Sequence, residues 1–167
     1  MGIPFEVRPS GVDEVAHGDP AQVAAENARR KALAVPGALV LGADTDVALD
    51  ADILGKPSDA EEARAFLRRL AGRTHQVVGA IALAEDGEIV GGAVETTAVR
   101  FRQLDDALID WYVGTGEWRD RAGGYAIQGR GAALVASVAG DYLNVVGLPL
   151  ARLLDLRPEL LPTARLQ

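Results

Sequence analysis

Two long runs of strand-forming residues flank an Asp-Gly pair, and this pattern constrains the fold of the chain more than any other feature. The runs extend from Gln76 to Leu83 and from Glu88 to Phe101. Asp86-Gly87 lies between them and is a dipeptide typical of tight two-residue turns. The sequence therefore predicts a long β-hairpin in the middle of the chain.

The residues before this hairpin predict a helix followed by a buried strand. Asp19-Pro20 has the form of a helix start, with an N-cap residue followed by proline, and the helix should end near Val35. Ala38–Leu41 is a short apolar run, typical of a strand buried on both faces. A second, smaller hairpin is expected where Val47–Leu49 and Ile53–Leu54 flank a polar turn.

Four weaker patterns complete the prediction. The alternation over Ile3–Val7 predicts a short strand, and Ser58 with Glu61 has the spacing of a capping box. Leu104–Val113 predicts a helix with Leu108, Trp111 and Tyr112 facing inward, and Pro149–Leu156 predicts another. The order of elements indicates an α/β fold with a mixed sheet, in one domain over residues 1–167.

Composition excludes several classes of function. The net charge of −7 argues against binding along a nucleic-acid backbone, which requires a basic surface. No apolar run approaches the roughly 20 residues that span a bilayer. The chain has no cysteine and only two histidines, so disulfides, thiol catalysis and histidine-rich metal sites are excluded. A chain without cysteine is compatible with the cytoplasm.

Asp44 is the residue whose position suggests chemistry most directly. It follows the predicted buried strand and a glycine, so we expect it at the carboxyl end of that strand, where α/β sheets bind ligands. There it would hold a divalent metal or orient a water molecule. The alternative is a turn aspartate that bonds its own backbone.

Further polar residues are candidates for binding. Lys31 and Lys56 are candidate phosphate partners, although a helical lysine also snorkels to solvent and a loop lysine often has no role. Asp13 and Glu14 could join Asp44 around a hard cation, or be ordinary surface acids. The amide of Gln128 suits recognition of a base edge or the capping of a loop.

Both histidines have simpler interpretations. His75 stands at the start of a predicted strand and is interpreted as structural. His17 lies in a polar loop and is interpreted as solvated.

Six short motifs occur in the order found in Maf-type proteins, and the resemblance extends from Ile3 to about Leu156. They are Ser10–Glu14, Gly42–Thr45, Leu54–Pro57, Leu70–His75, Tyr125–Gly129 and Gly140–Tyr142 with Gly147–Pro149. The chain is therefore identified as similar to the Maf-like nucleoside triphosphate pyrophosphatases. This resemblance implies a two-lobed α/β fold similar to that of inosine triphosphate pyrophosphatases.

The resemblance also implies roles for particular residues. Asp44 matches the catalytic base, Lys31 and Lys56 match phosphate-binding lysines, and Glu14 with Asp44 matches the site of a divalent cation, Mg²⁺ or Mn²⁺. Gly42–Thr45 and Ile127–Gly129 look like the signatures of the branch that hydrolyses dTTP and UTP, so Thr45 and Gln128 would determine substrate specificity. The resemblance also suggests a homodimer, and we expect the protein to be located in the cytoplasm.

The sequence departs from the family pattern at several places. Family members begin with a strand and a Ser-x-Ser-Pro-Arg-Arg loop that leads into a helix, and this sequence contains no such segment. We therefore expect a fold without the first strand and helix, and weaker activity. Asp46 stands where an apolar residue is usual, Arg121 where lysine is common, and Trp118 where proline is common.

Three functional hypotheses follow from the sequence. The first is a pyrophosphatase that acts on dTTP and UTP. The second is a catalytically impaired, nucleotide-binding regulatory homologue. The third is a pyrophosphatase that acts on a modified nucleotide.

Overall fold

The strands and helices are those of an α/β protein, and the computed structural model describes residues 3–50 and 52–161. The strands within these ranges are β1 (Leu39–Leu49), β2 (Asp52–Leu54), β3 (Thr74–Glu85), β4 (Glu88–Phe101) and β5 (Val135–Ala139). The α-helices are α1 (Pro20–Ala34), α2 (Ala60–Leu70), α3 (Asp106–Gly114), α4 (Tyr142–Val146) and α5 (Leu150–Leu156). None of these helices is long and apolar enough to cross a membrane.

The strands form one sheet in the order β2-β1-β3-β4-β5. The predicted central hairpin is β3–β4, with Glu85 opposite Glu88 and positive φ angles of 49° at Asp86 and 86° at Gly87. The predicted α/β class is confirmed. One detail needs correction: every pairing among the described strands is antiparallel, so the expected mixed sheet is not found there.

Strand β1 is longer than predicted, and much of one edge is open. It pairs with β3 from Leu39 to Ala48, but with the three-residue β2 only at Val47–Leu49. No other described strand pairs with residues 39–46 on that side. This open edge borders a groove of about 910 Å³, and residues 3–8 and 10 contribute to its other wall. The predicted strand over Ile3–Val7 is wrong, because this segment is irregular and mostly exposed.

Helix α1 lies close against one face of the sheet. Asp19 caps its first turn by accepting a hydrogen bond from the Gln22 amide, as predicted. Alanines at four-residue spacing (24, 28 and 32) form a flat stripe on the helix and pack against alanines of β3. Gly42 of β1 lies under this stripe, and a Cβ atom there would be only 2.2 Å from the Ala28 carbonyl oxygen. The small side chains therefore allow the helix to approach β1 closely.

The larger core lies on the opposite face of the sheet. Phe101 of β4 packs there with Leu67 of α2 and Tyr112 of α3, all fully buried. Trp111 was predicted to face inward, and this is wrong, since the residue is 48% exposed. Helix α5 covers the far end of this face through Leu153.

The start of α2 is displaced by one residue from the predicted capping box. Asp59 is the N-cap and accepts a hydrogen bond from the Glu62 amide at 2.9 Å. The Glu62 carboxylate in turn accepts from the Ser58 amide at 2.7 Å. The helix therefore begins near the predicted place, but the predicted capping box is wrong: the N-cap is Asp59 and not Ser58, and the carboxylate that accepts from the preceding backbone belongs to Glu62 and not to Glu61.

Candidate active site

A cavity of about 300 Å³ lies beside β1, next to the point where β2 ends. Because β2 is so short, residues from both faces of β1 reach this cavity at the strand edge. Its lining is Lys31, Ala43, Asp44, Thr45, Val47, Lys56, Val77, Asp120, Arg121, Ala122, Tyr125, Ala126, Ile127, Gln128, Val145, Val146 and Gly147. Five predicted site residues are among them, namely Lys31, Asp44, Thr45, Lys56 and Gln128, whereas Asp13 and Glu14 are not.

Lys31 joins two carboxylates at the wall of the cavity. Its Nζ lies 2.5 Å from Oδ1 of Asp44 and 2.6 Å from Oε1 of Glu14. The lysine side chain is only 21% exposed, so it lies in the cleft and does not snorkel to solvent. Asp44 is 8% exposed and lies in the middle of β1, so its predicted place at the strand's carboxyl end is wrong.

Asn27 of α1 holds this cluster together, although no pattern in the sequence pointed to it. Its side chain is 2% exposed. The Nδ2 group donates to Oδ2 of Asp44 at 3.2 Å and to the carbonyl of Val15 at 3.0 Å, and Oδ1 accepts from the Val15 amide at 2.7 Å. One buried amide therefore fixes the carboxylate of Asp44 and anchors the segment that carries Glu14.

The ion pairs stabilise the charged forms of Lys31 and Glu14. Burial is the largest single effect and opposes charge on both groups, but the hydrogen bonds and the attraction between opposite charges together outweigh it. The pKa of the Glu14 carboxyl is lowered by Lys31 and, more weakly, by Lys56, and the pKa of the Lys31 ammonium is raised by Asp44 and Glu14. At neutral pH the cleft therefore presents an ammonium group between two carboxyl groups.

Lys56 and Asp46 lie at the side of this cluster. Nζ of Lys56 is 3.4 Å from Oε2 of Glu14, and the lysine side chain is half exposed. Asp46 is two residues beyond Asp44, on the same face of β1. Its Oδ2 is buried without a hydrogen-bond partner among the described residues. Burial, together with the charges of Asp44 and Glu14, raises the pKa of Asp46 to about 6.

Thr45 and Gln128 line the part of the cavity on the other face of β1. The Thr45 hydroxyl donates a long hydrogen bond of 3.5 Å to the carbonyl of Gly147. Gln128 is exposed, and the turn that follows it is held by Glu117, whose Oε2 accepts from the amides of Arg130 and Gly131. The structure therefore brings both residues to the same cavity as Asp44.

Two buried polar groups support the walls of the cavity. Asn144 is fully buried, and its Nδ2 donates to the carbonyl of Val77 and to Oγ1 of Thr97, which fastens α4 to the sheet. His75 is buried too, and its Nε2 lies 2.7 Å from the hydroxyl of Tyr125. Burial lowers the pKa of His75 to about 4, so the ring is neutral, consistent with a structural residue.

The remaining candidates lie outside the cavity. Asp13 and His17 are exposed, and neither contributes to the cavity lining.

Three residues in or beside the site were not predicted as site residues. Asp46 and Arg121 had been noted only as departures from the family pattern, and Asn27 had not been noted at all. Their positions depend on contacts distant in the chain, for which the sequence gives no local signal.

The carboxylates fit a divalent metal only in part. Glu14, Asp44 and Asp46 offer the oxygen ligands that Mg²⁺ prefers. Among residues 3–50 and 52–161, however, no three His, Cys, Asp or Glu side chains are grouped so that they could hold a metal ion by themselves. Mg²⁺ is commonly bound by one or two carboxylates with water and substrate phosphates, and this donor set fits that pattern.

Fold and cleft together define an α/β protein with a lysine–carboxylate cluster at the open edge of an antiparallel sheet. A family model described as "Maf-like protein" matches residues 1–159. The chain therefore belongs to the Maf family, and the resemblance found in the sequence is confirmed.

Curated relatives agree with this assignment. A "dTTP/UTP pyrophosphatase" of Symbiobacterium thermophilum is 55% identical over 159 residues, which cover 91% of this chain and 81% of the relative. A protein of the same name from Pyrococcus furiosus is 49% identical over 90% of this chain and 82% of its own length. Another, from Thermus thermophilus, is 49% identical over 93% of this chain and 83% of its own length.

Proposed function

We propose that the chain hydrolyses dTTP and UTP to the nucleoside monophosphate and pyrophosphate. The observation that carries this proposal is the convergence of Asp44, Lys31, Lys56, Thr45 and Gln128 on one cavity. These residues come from α1, β1, the segment after β2 and a distant loop. The names of the relatives, at about half identity over most of the chain, support the same substrates.

In this proposal Asp44 is the general base. It accepts a proton from the water molecule that attacks the triphosphate, so the carboxylate must be held in one orientation. Asn27 and Lys31 provide this restraint through their hydrogen bonds to its two oxygens. Lys31 and Lys56 offer positive charge to the phosphate chain, where negative charge develops as the anhydride bond breaks.

We also propose a divalent cation, Mg²⁺ or Mn²⁺, as cofactor. Glu14 and Asp44 would hold it together with phosphate oxygens of the substrate. Such an ion neutralises charge on the phosphates and makes a bound water more acidic. Lys31 now bridges the same two carboxylates, so cation and lysine compete for them.

Thr45 and Gln128 would select the base. An amide and a hydroxyl can donate to the carbonyl oxygens of uracil and thymine and accept from the ring N–H. Both residues line the part of the cavity on the side opposite α1. The phosphates would then lie beside Asp44 and the base beside Gln128.

The test is pyrophosphate release from dTTP, UTP and methylated GTP, with and without Mg²⁺. We expect turnover of the two pyrimidine nucleotides that depends on the metal. Binding without turnover would indicate a regulatory nucleotide-binding protein. Preference for methylated GTP would indicate a pyrophosphatase for modified nucleotides, and either result overturns the proposal.

Assembly and location are part of the same proposal. We propose a homodimer in the cytoplasm, where nucleoside triphosphates are available. The exposed apolar residues Leu39 and Leu41 on the open edge of β1 support association of two copies. Light scattering coupled to size-exclusion chromatography measures the molar mass of the assembly. The mass of a monomer would exclude the dimer.

A further inference from the structure

Arg121 is a third cation in the wall of the cavity. It lies in the loop between α3 and β5 and lines the same space as Lys31 and Lys56. Among the residues that the structure describes, no carboxylate forms an ion pair with its guanidinium, although Asp120 also lines the cavity. Arg121 is exposed, so its side chain is accessible to a ligand that enters from solvent.

The two lysines already carry counter-charges, whereas Arg121 has none within residues 3–50 and 52–161. Lys31 is paired with Asp44 and Glu14, and Lys56 is paired with Glu14. A nucleoside triphosphate brings several negative charges into this cleft. The lysines can meet them only by loosening existing pairs, whereas Arg121 can bind phosphate without losing one.

The backbone holds Arg121 at the same side of the cavity as Lys56. The amide of Gly123 donates to the carbonyl of Gly55 at 3.0 Å, which ties the two loops together next to Lys56. The amide of Gly124 donates to the carbonyl of Arg121, also at 3.0 Å. Arg121 is therefore fixed at its Cα, and only its side chain must be ordered on binding.

We propose that Arg121 binds the phosphate chain of the nucleoside triphosphate, an inference that rests on the proposed function. A guanidinium offers paired N–H donors that match two phosphate oxygens, and such charge-assisted bonds are stronger than neutral ones. Arg121 thus supplies positive charge that Lys31 and Lys56 can provide only after their carboxylate pairs are broken.

The experiment compares Arg121→Gln and Arg121→Lys with a matched control, Arg119→Gln. Arg119 lies two residues away, but its guanidinium stacks over the Trp118 ring at 4.8 Å and does not line the cavity. The probes are α,β-imido-dUTP, whose scissile bridge is blocked, and inorganic tripolyphosphate, which has no base. Dissociation constants are measured by calorimetry with Mg²⁺, and thermal melts verify that each variant is folded.

We expect Arg121→Gln to weaken binding of both probes by about tenfold or more, Arg121→Lys to weaken it less, and Arg119→Gln to leave it unchanged. Unchanged binding of both probes by Arg121→Gln would overturn the inference. Weaker binding of the nucleotide alone would also overturn it, because that result places Arg121 at the base. If the wild-type protein binds neither probe, the proposed function itself is wrong, which is a distinguishable outcome.

Discussion

At the scale of single residues, the cluster around Lys31 depends on a balance of charges. Lys31 separates Asp44 from Glu14, which would otherwise repel each other. Asn27 adds a neutral donor to the second oxygen of Asp44 and is bound to the backbone of Val15. The orientation of Asp44 is therefore set by two side chains of the same helix, one turn apart.

Replacement of Asp44 by asparagine tests its role as base. We expect turnover of dTTP to fall on the order of a hundredfold to ten-thousandfold, because the amide cannot accept a proton. Pyrophosphate release at saturating dTTP and Mg²⁺ measures the effect. Asp50→Asn is the control, since Asp50 is exposed at a turn with φ of 58°, which asparagine adopts readily. Activity of Asp44→Asn within tenfold of the wild type would exclude the assigned role.

Asp46→Asn should stabilise the protein. At pH 7.5 Asp46 is ionised, while one of its oxygens is buried without a partner and its pKa is raised to about 6. Removing the charge should raise the free energy of unfolding by about 1 kcal/mol, after allowance for partial exposure to solvent. Urea unfolding measures this against Asp86→Asn, a change at an exposed turn that accepts either residue. Equal midpoints for the two variants would contradict the prediction.

At the scale of elements, the sequence predicted correctly those turns and helix starts that are stabilised by neighbouring residues. The Asp86-Gly87 hairpin and the Asp19-Pro20 helix start are present because their turn and cap need only nearby residues. The segment Ile3–Val7 has the alternation of a strand but no strand to pair with among the described residues, so the pattern alone misled.

The structure brings most of the predicted site residues to one cavity, but it does not place Asp44 where the sequence had predicted. The sequence predicted that the strand ends at Asp44. The strand in fact continues, because β1 pairs with β3 as far as Ala48, through partners about 30 residues away in the chain. Asn27 carried no signal, since its role arises from contacts with Val15 and Asp44 that only the folded chain creates. The other predicted residues that line the cavity were found from the order of the motifs.

Gly42→Ala tests the close contact of α1 with β1. The new methyl group would lie 2.2 Å from the Ala28 carbonyl and 2.6 Å from the Ala32 amide, both backbone atoms that cannot yield easily. We expect a loss of about 2 to 3 kcal/mol in unfolding free energy. Gly114→Ala is the matched control, because a Cβ atom there would have no atom within 4 Å apart from its chain neighbours and its own helix backbone. A variant as stable as this control would show that α1 can shift freely.

At the scale of the whole molecule, the burial of one neutral histidine makes the free energy of unfolding depend on pH. His75 is 2% exposed, and its pKa of about 4 in the folded state lies below the ordinary 6.5. The unfolded chain therefore binds a proton first as the pH falls. Stability contributed by the neutral ring is fully present above about pH 6.5 and is lost as the pH falls toward 4.

The size of this effect can be measured directly. The shift corresponds to a loss of about 3 kcal/mol between pH 6.5 and pH 4. In urea titrations at several pH values, His75→Gln should be less stable than the wild type at pH 7 but should lose less stability on acidification. His17→Gln, at an exposed histidine, should keep the wild-type slope. An unchanged slope in His75→Gln would assign the acid sensitivity to carboxyl groups.

The open edge of β1 also determines how reaction products would separate. Asp44 and Thr45 are consecutive and therefore face opposite sides of the sheet, one toward α1 and the other toward Gly147. Under the proposed function, a nucleotide bound at this edge would bend around a single strand, with its phosphates beside Asp44 and its base beside Thr45. After hydrolysis, pyrophosphate would be held beside Asp44 and the monophosphate, through its base, beside Thr45, so that each product would be released from a different set of residues.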